Sequence, residues 1–130
     1  MSPAKILIVE DEAIIARCLR QMLVCLGHTV VGAVMSGEEA VAFAASLRPD
    51  LVLMDVGLSG RMDGVEAALQ IREEQGIPVI LLTGSTEAVR AASALAWVAK
   101  PFTERQLTAA LEAARRKMRE PSVPAGDAGK

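Results

Sequence analysis

The chain has 130 residues, enough for one domain with a substantial core, and 52% of them are hydrophobic against 23% charged. Its net charge of −2 and its aromatic content of only 2% argue against electrostatic steering toward nucleic acid and against a base-stacking surface. No apolar run reaches the roughly 20 residues of a membrane span, and "MSPAKILIVE" lacks the layout of a signal peptide. We therefore expect a cytoplasmic protein.

Five short apolar runs alternate with segments of helical periodicity. They cover Lys5–Val9, Thr29–Val34, residues 51–56, residues 78–82 and Ala96–Ala99. The runs are rich in Val, Ile and Leu and are apolar almost throughout, without the alternation of a half-exposed strand. This pattern is typical of strands that are buried on both faces of a parallel sheet.

The first helical segment covers residues 13–26, and Gly27 can end it. Its apolar face is predicted to contain Ile15, Cys18, Leu19, Met22, Leu23 and Leu26. The two cysteines, Cys18 and Cys25, lie about 10 Å apart along this helix at ~1.5 Å rise per residue, too far for a disulfide within the chain. We interpret them as reduced thiols of the core.

Three further helices are predicted from the residues at their N-termini. Each begins with a hydroxyl or carboxylate side chain that can accept hydrogen bonds from the first amides of a helix. The three signals are Ser36 with Glu39, Asp63 before Gly64, and Thr103 with Gln106. The first of these helices should end near Leu47, and the next covers residues 64–75, with Gly64 easing the turn at its start.

The order of the elements is (βα)5. Right-handed crossovers with helices on both faces predict an α/β, flavodoxin-like, doubly wound sheet of five parallel strands in the order 2-1-3-4-5. Only residues 84–95 remain for the fourth helix and its loops, so we expect a shortened fourth helix. Residues 1–119 should form the domain, and residues 120–130, rich in Pro and Gly, a flexible C-terminal tail.

Polar side chains lie at the carboxyl ends of four of the five apolar runs. Glu10 and Asp11 follow the first, Asp55 lies near the end of the third, and Thr83 and Lys100 follow the fourth and the fifth. Because the carboxyl ends of parallel strands meet at one edge of a sheet, these side chains should converge there. Crowded carboxylates favour a cation, and hard oxygen ligands suit Mg²⁺ (magnesium). A carboxylate can also act as a nucleophile and become an aspartyl phosphate.

The segments "ILIVEDE", "PDLVLMDVGLSGRMDGVEA", "PVILLTGS" and "AKPF" resemble the receiver domain of two-component response regulators, over roughly residues 4–118. The resemblance implies that Asp55 is the phosphoacceptor. It also implies that Glu10, Asp11 and Asp55 bind Mg²⁺ together with the backbone carbonyl of Gly57. The phosphodonor would be a histidine kinase or a histidine phosphotransfer protein, as in bacterial-type signalling.

The same resemblance implies a switch at the other end of the site. Thr83 would be the switch hydroxyl, Lys100 would contact the phosphoryl group, and the bond before Pro101 would be cis. Trp97 stands where the family usually has Tyr or Phe, and it acts either as a rotamer switch or as a half-buried packing residue. Phosphorylation would then alter a partner-binding surface around residues 84–99.

The resulting expectation is a stand-alone, single-domain response regulator that phosphorylates and dephosphorylates only itself and is otherwise not an enzyme. Two alternatives remain open: a phosphorylation-independent, receiver-like interaction module, and a phosphohydrolase with an Asp nucleophile. The hydrolases usually carry a second Asp where this chain has Gly57. His28, the only histidine, is interpreted as a surface residue, so no phosphohistidine is expected within the chain.

Overall fold

The computed structural model describes residues 3–58, 62–84 and 96–119. Its sheet has five parallel strands in the order β2-β1-β3-β4-β5, which confirms the predicted topology. The strands are β1 (Lys5–Val9), β2 (Thr29–Val34), β3 (Leu51–Asp55), β4 (Val79–Thr83) and β5 (Ala96–Ala99). The third strand ends one residue earlier than predicted, and the fourth begins and ends one residue later.

Four helices lie in the described part of the chain. They are α1 (Ala13–Cys25), α2 (Gly37–Leu47), α3 (Gly64–Gln75) and α4 (Glu104–Arg119). None of them is both long and apolar enough to cross a membrane. The shortened helix predicted within residues 84–95 and the tail predicted for residues 120–130 lie outside the described residues.

The core consists of two apolar layers, one on each face of the sheet. Helices α2 and α3 cover the layer that contains alternate residues of β1 and β3, such as Leu7 and Met54. Helices α1 and α4 cover the opposite layer, which contains Ile8 and Leu53. Every residue of β3 and β4 is buried, as expected for central strands of a doubly wound sheet.

The predicted helix caps are present and fix where the helices begin. Ser36 Oγ accepts a hydrogen bond from the Glu39 N–H at 3.1 Å, and Asp63 Oδ1 accepts one from the Glu66 N–H at 2.8 Å. The third cap is a reciprocal pair, in which Thr103 Oγ1 and Gln106 Oε1 each accept the other residue's N–H, at 3.1 and 2.8 Å. These bonds satisfy amides that have no partner within the helix.

The prediction that the cysteines belong to the core is wrong, because Cys18 and Cys25 are both exposed. The helix turns its Leu19 and Leu23 side chains toward the sheet, and these two are buried. Cys18 precedes Leu19 by about 100° around the helix axis at ~3.6 residues per turn, so it lies outside the buried arc. The periodicity of α1 therefore indicated a wider apolar face than the sheet covers.

The prediction that His28 lies at the surface is also wrong. His28 is only 6% exposed, and its Nδ1 accepts a hydrogen bond from the Ala4 N–H at 3.0 Å. The backbone N–H of His28 donates a hydrogen bond to the Leu23 carbonyl, also at 3.0 Å. The imidazole thus joins the start of β1 to the connection between α1 and β2, at the end of the sheet opposite the polar strand ends.

Candidate functional site

The strand ends bring the predicted polar residues together at one edge of the sheet. Asp55 and Thr83 are the last residues of β3 and β4, while Glu10 and Lys100 directly follow β1 and β5. Backbone hydrogen bonds between neighbouring strands continue as far as Glu10 and Lys100. The Glu10 N–H donates to the Val34 carbonyl at 3.0 Å, and the Lys100 N–H donates to the Thr83 carbonyl at 2.8 Å. The site is therefore built directly on the hydrogen-bonded ends of the strands.

Three carboxylates form the acidic side of this site. One oxygen from each of Glu10, Asp11 and Asp55 lies within 4.8 Å of the other two. The Glu10 side chain is completely buried, the Asp55 side chain is 9% exposed, and Asp11 is half-buried. Like charges this close disfavour one another unless a cation neutralises them.

Lys100 supplies a positive charge from the opposite side. Its Nζ donates a hydrogen bond to Asp55 Oδ1 at 2.7 Å and lies 3.8 Å from Glu10 Oε1. Burial alone would lower the pKa of the Lys100 ammonium. The hydrogen bond to Asp55 and the negative charges of Asp55 and Glu10 outweigh burial and raise that pKa above its usual 10.5. Lys100 is thus held firmly in its charged form.

Glu10 shows that the acidic cluster fits a metal ion. Burial, with the neighbouring charges of Asp55 and Asp11, raises the pKa of Glu10 above its ordinary 4.5, although the hydrogen bond from the Glu12 N–H to Oε2 opposes this. The buried Glu10 Oε1 has no hydrogen-bond partner among the described residues. The Lys100 ammonium, at 3.8 Å, is beyond hydrogen-bond distance of this oxygen, so a closer cation would offset the cost of burying it.

The composition of the cluster points to a hard cation. The three carboxylates outnumber the one ammonium that lies among them. All the candidate side-chain ligands are oxygens, which are the ligands that Mg²⁺ prefers. The residues that are present therefore fit the Mg²⁺ that the sequence analysis anticipated.

The remaining predicted residues surround this cluster. Gly57 is exposed, and among the described residues a Cβ built there would meet only Asp55 Oδ2, at 3.9 Å, so Gly57 lies beside that oxygen. Thr83 is buried, and the peptide bond between Lys100 and Pro101 is cis. Trp97 lies on β5, pairs with Leu81 and is 44% exposed.

Sequence reasoning missed the role of Gly64, the first residue of α3. We expected it to ease the turn, but its backbone is not in the left-handed region that favours glycine. Instead the helix approaches the strand so closely that a Cβ at Gly64 would lie 2.3 Å from the Asp55 carbonyl oxygen. Spacing along the sequence carries no sign of such a contact, because the approach depends on how α3 packs against β3.

Comparison with known proteins assigns this chain to a family. Residues 6–112 match the response regulator receiver domain, and the chain belongs to that family. Among curated relatives, the transcriptional regulatory protein PdtaR of Mycobacterium tuberculosis is 38% identical over 130 aligned residues, which cover 96% of this chain and 63% of PdtaR. The chain thus spans less than two thirds of that relative's length.

Solved structures agree with this assignment. The signal receiver domain of a modulated diguanylate cyclase from Desulfovibrio desulfuricans superposes with a TM-score of 0.82 at 36% identity, covering 92% of this chain and all of that one. The response regulator PhyR from Brucella abortus superposes with a TM-score of 0.78 at 31% identity, covering 89% of this chain and 49% of PhyR. The likeness includes both the five-stranded fold and a substantial part of the sequence.

Proposed function

We propose that this receiver domain accepts a phosphoryl group on Asp55 in a Mg²⁺-dependent reaction and that the modification changes a partner-binding surface around residues 84–99. The observation that carries the proposal is the asymmetric environment of the Asp55 carboxylate. Oδ1 is held by Lys100 at 2.7 Å, whereas Oδ2 faces the exposed Gly57 backbone. One oxygen is anchored, and we infer that the other is the one that reacts with the donor.

Phosphoryl transfer needs positioning and charge stabilisation more than covalent help from the protein. Asp55 Oδ2 would form the new bond to phosphorus as the bond from phosphorus to the donor's imidazole nitrogen breaks. That nitrogen keeps the bonding electron pair, and the imidazole takes up a proton from solvent on leaving the site. The donor class, a histidine kinase or a histidine phosphotransfer protein, follows from membership of the receiver family.

The acidic residues would hold the metal ion. Glu10, Asp11, Asp55 and the Gly57 carbonyl are its proposed ligands, and the buried Oε1 of Glu10, which accepts no hydrogen bond from a described residue, supports this arrangement. When bound, Mg²⁺ would neutralise negative charge on the phosphoryl oxygens. The chain's own part is to gather the oxygen ligands before the donor arrives, which removes the cost of ordering them during the reaction.

Lys100 and Thr83 would receive the phosphoryl oxygens. The Lys100 ammonium already touches the acceptor carboxylate, so it can also neutralise charge that develops during transfer. Thr83 ends the neighbouring strand β4, and its hydroxyl would bind a phosphoryl oxygen. Movement of Thr83 would alter the connection that follows it, which is how the modification would reach a partner protein.

We further propose that the domain acts on no substrate other than itself, apart from the donor that supplies the phosphoryl group. Its output would be the altered affinity for a downstream protein. Incorporation of at most one phosphoryl group per chain, with release of the dephosphorylated donor, would support this view. Sustained hydrolysis of small phosphomonoesters would favour the phosphohydrolase alternative.

The proposed function is tested by incubating the protein with acetyl phosphate and Mg²⁺. We expect an acid-stable, hydroxylamine-labile adduct that is lost in Asp55→Asn. Asp63→Asn is the matched control, because Asp63 is exposed and caps α3, and Asn retains an oxygen that can accept the same N–H. If the folded protein forms no adduct with acetyl phosphate or with a phosphorylated histidine kinase, phosphorylation is excluded as its mode of action.

A further inference from the structure

Gly64 lies against the peptide group of the proposed phosphoacceptor. A Cβ built at Gly64 would lie 2.3 Å from the Asp55 carbonyl oxygen, 2.9 Å from Val56 Cα and 3.1 Å from the Asp55 carbonyl carbon. Real Cβ atoms essentially never approach another heavy atom within 3.0 Å. The first turn of α3 can therefore lie on the end of β3 only because residue 64 has no side chain.

Both sides of this contact are rigid backbone. The end of β3 is tied into the sheet, since Asp55 pairs with Leu82 and the Val56 N–H donates to the Leu82 carbonyl at 3.1 Å. Helix α3 is anchored in the core by three buried side chains, those of Ala67, Ala68 and Ile71. A methyl group at Gly64 could not be accommodated by a side-chain rotation, so strand or helix would have to shift.

The smallest shift can be read from the distances. Moving the contact from 2.3 Å to the 3.0 Å limit requires 0.7 Å of backbone displacement. A catalytic arrangement tolerates about 0.5 Å, and a misplacement of about 1 Å can cost roughly a hundredfold in rate. The displacement imposed by a single methyl group therefore exceeds what the site can absorb.

Either displacement would reach the reacting groups. If the strand end moves, the Asp55 carboxylate moves relative to Lys100, whose backbone is tied to Thr83 rather than to β3. If the helix moves, Gly64 moves away from Val56. These two residues are the ends of the connection that contains Gly57. Because the ends of this connection touch, Gly64 closes the loop that would offer the Gly57 carbonyl to the metal.

We propose that Gly64 is a positioning residue for phosphoryl transfer: its contact with the Asp55 peptide sets the acceptor carboxylate and the Gly57 carbonyl relative to Lys100. The inference rests on the proposed function of Asp55. Glycine is required at position 64 because a larger side chain would overlap the Asp55 peptide, and not because of its backbone dihedral angles. Helix α3 thereby holds the end of β3 in position.

A second glycine provides a matched control. Gly37 also opens a helix, α2, and a Cβ there would lie 3.0 Å from the Met62 carbonyl oxygen and 3.1 Å from Ala67 Cβ. Gly37→Ala therefore crowds the start of α3 only at the limit of real Cβ contacts, without touching Asp55 and without the overlap that Gly64→Ala creates. Glu66→Gly is a second control, because it weakens the exposed first turn of α3 and adds no atom.

The experiment compares Gly64→Ala, Gly37→Ala, Glu66→Gly and the unchanged protein. The rate constant of phosphorylation by acetyl phosphate is measured at saturating Mg²⁺ and corrected for the folded fraction from urea unfolding, and Mg²⁺ affinity is measured by calorimetry. We expect Gly64→Ala to lower the rate constant by about tenfold to a hundredfold and to weaken Mg²⁺ binding. Both controls should lose stability and keep the rate constant.

Three results would overturn the inference. They are a wild-type rate constant and Mg²⁺ affinity in folded Gly64→Ala, an equal loss of rate in Gly37→Ala, and unchanged amide resonances of Gly64 when Mg²⁺ is added to the unchanged protein. The last measurement decides the matter even if Gly64→Ala does not fold, with the Gly37 amide as the internal reference. If the unchanged protein forms no adduct, the proposed function fails, while the Mg²⁺ measurements still decide whether Gly64 positions the acidic cluster.

Discussion

Lys100 Nζ lies 2.7 Å from Asp55 Oδ1, although the two residues are 45 positions apart in the chain. Strand β4 is the bridge between them: Asp55 pairs with Leu82, and the Lys100 N–H donates to the Thr83 carbonyl. The pair therefore depends on the register of three strands. It anchors one oxygen of the carboxylate that we propose as the phosphoacceptor.

The first prediction concerns this ion pair. Lys100→Ala should slow phosphorylation by acetyl phosphate by about a hundredfold or more, because it removes a donor aimed at developing charge. The phosphorylation rate of Lys100→Arg should lie between those of Lys100→Ala and the unchanged protein, since a guanidinium keeps the charge but not the compact geometry. The measurement is the time course of adduct formation by mass spectrometry. Lys5→Ala, an exposed lysine at the start of β1, is the control. A wild-type rate in Lys100→Ala would contradict the role proposed for this residue.

The second prediction concerns the crowded carboxylates. Asp11→Asn should stabilise the metal-free protein by a few tenths to about 1 kcal/mol, because it removes one like charge from the cluster. It should also raise the dissociation constant of Mg²⁺ by roughly tenfold, since ligand charge tunes affinity. Mg²⁺ would then add about 1.4 kcal/mol less to stability than it adds to the unchanged protein.

Urea unfolding with EDTA and with excess Mg²⁺ measures both effects of Asp11→Asn. Glu66→Gln, which alters an exposed carboxylate on α3 outside the cluster, should change neither curve. An Asp11→Asn variant that binds Mg²⁺ as tightly as the unchanged protein would argue that Asp11 is not a ligand.

The third prediction separates modification from switching. Thr83 pairs with Ala99 on β5, two residues beyond Trp97, the only tryptophan of the chain. Thr83→Ala should still form the adduct at Asp55 but lose the change in Trp97 fluorescence that phosphorylation produces. Thr83→Ser keeps the hydroxyl and should keep the change. An undiminished signal in Thr83→Ala would show that Trp97 does not respond through Thr83 and would favour a packing role for it.

The fourth prediction concerns pH and stability. Burial, with a smaller contribution from the charge of Arg115, lowers the pKa of His28 below its ordinary 6.5. As the pH falls below about 6.5, the unfolded chain binds a proton before the folded one does. The stability that neutral His28 contributes is therefore complete above this pH and is lost progressively until the pH reaches the folded-state pKa.

Two variants isolate the contribution of His28. His28→Asn can still accept the Ala4 N–H but does not titrate, so its free energy of unfolding should vary less with pH between 6.5 and 5 than that of the unchanged protein. His28→Phe leaves that amide without an acceptor and should cost about 1–3 kcal/mol at neutral pH. Chemical denaturation across pH measures both. Equal pH dependence in His28→Asn would contradict the burial of a neutral imidazole.

The fifth prediction concerns α1. Cys18→Ser should change the free energy of unfolding by less than about 0.5 kcal/mol, because the thiol is exposed. Leu19→Ala should lower the free energy of unfolding by about 2–5 kcal/mol, because Leu19 is buried and its truncation opens a cavity in the core. Both cysteines should also react with iodoacetamide in the folded protein. Protection of either thiol until unfolding would contradict the orientation of this helix.

Much of the fold was predictable because its signals are local. Apolar runs without alternation indicated buried parallel strands, and caps such as Ser36 and Asp63 marked helix starts that the structure contains. The convergence of Glu10, Asp55, Thr83 and Lys100 followed from one rule, that polar residues after parallel strands share an edge. The resemblance to receiver domains then supplied roles that spacing alone could not.

The sequence by itself thus determined the alternation of strands and helices, the class of the fold and the edge at which the chemistry would lie, because each depends on periodicity and on residues close together in the chain. The order 2-1-3-4-5 was predicted as the usual order for such a sheet. Only the tertiary structure decided that His28 is buried, that Cys18 and Cys25 are exposed, and that Gly64 touches the Asp55 peptide. These outcomes depend on the rotation of α1 about its axis and on sub-ångström approaches between distant backbones. No pattern of residue types along a chain encodes distances of that kind.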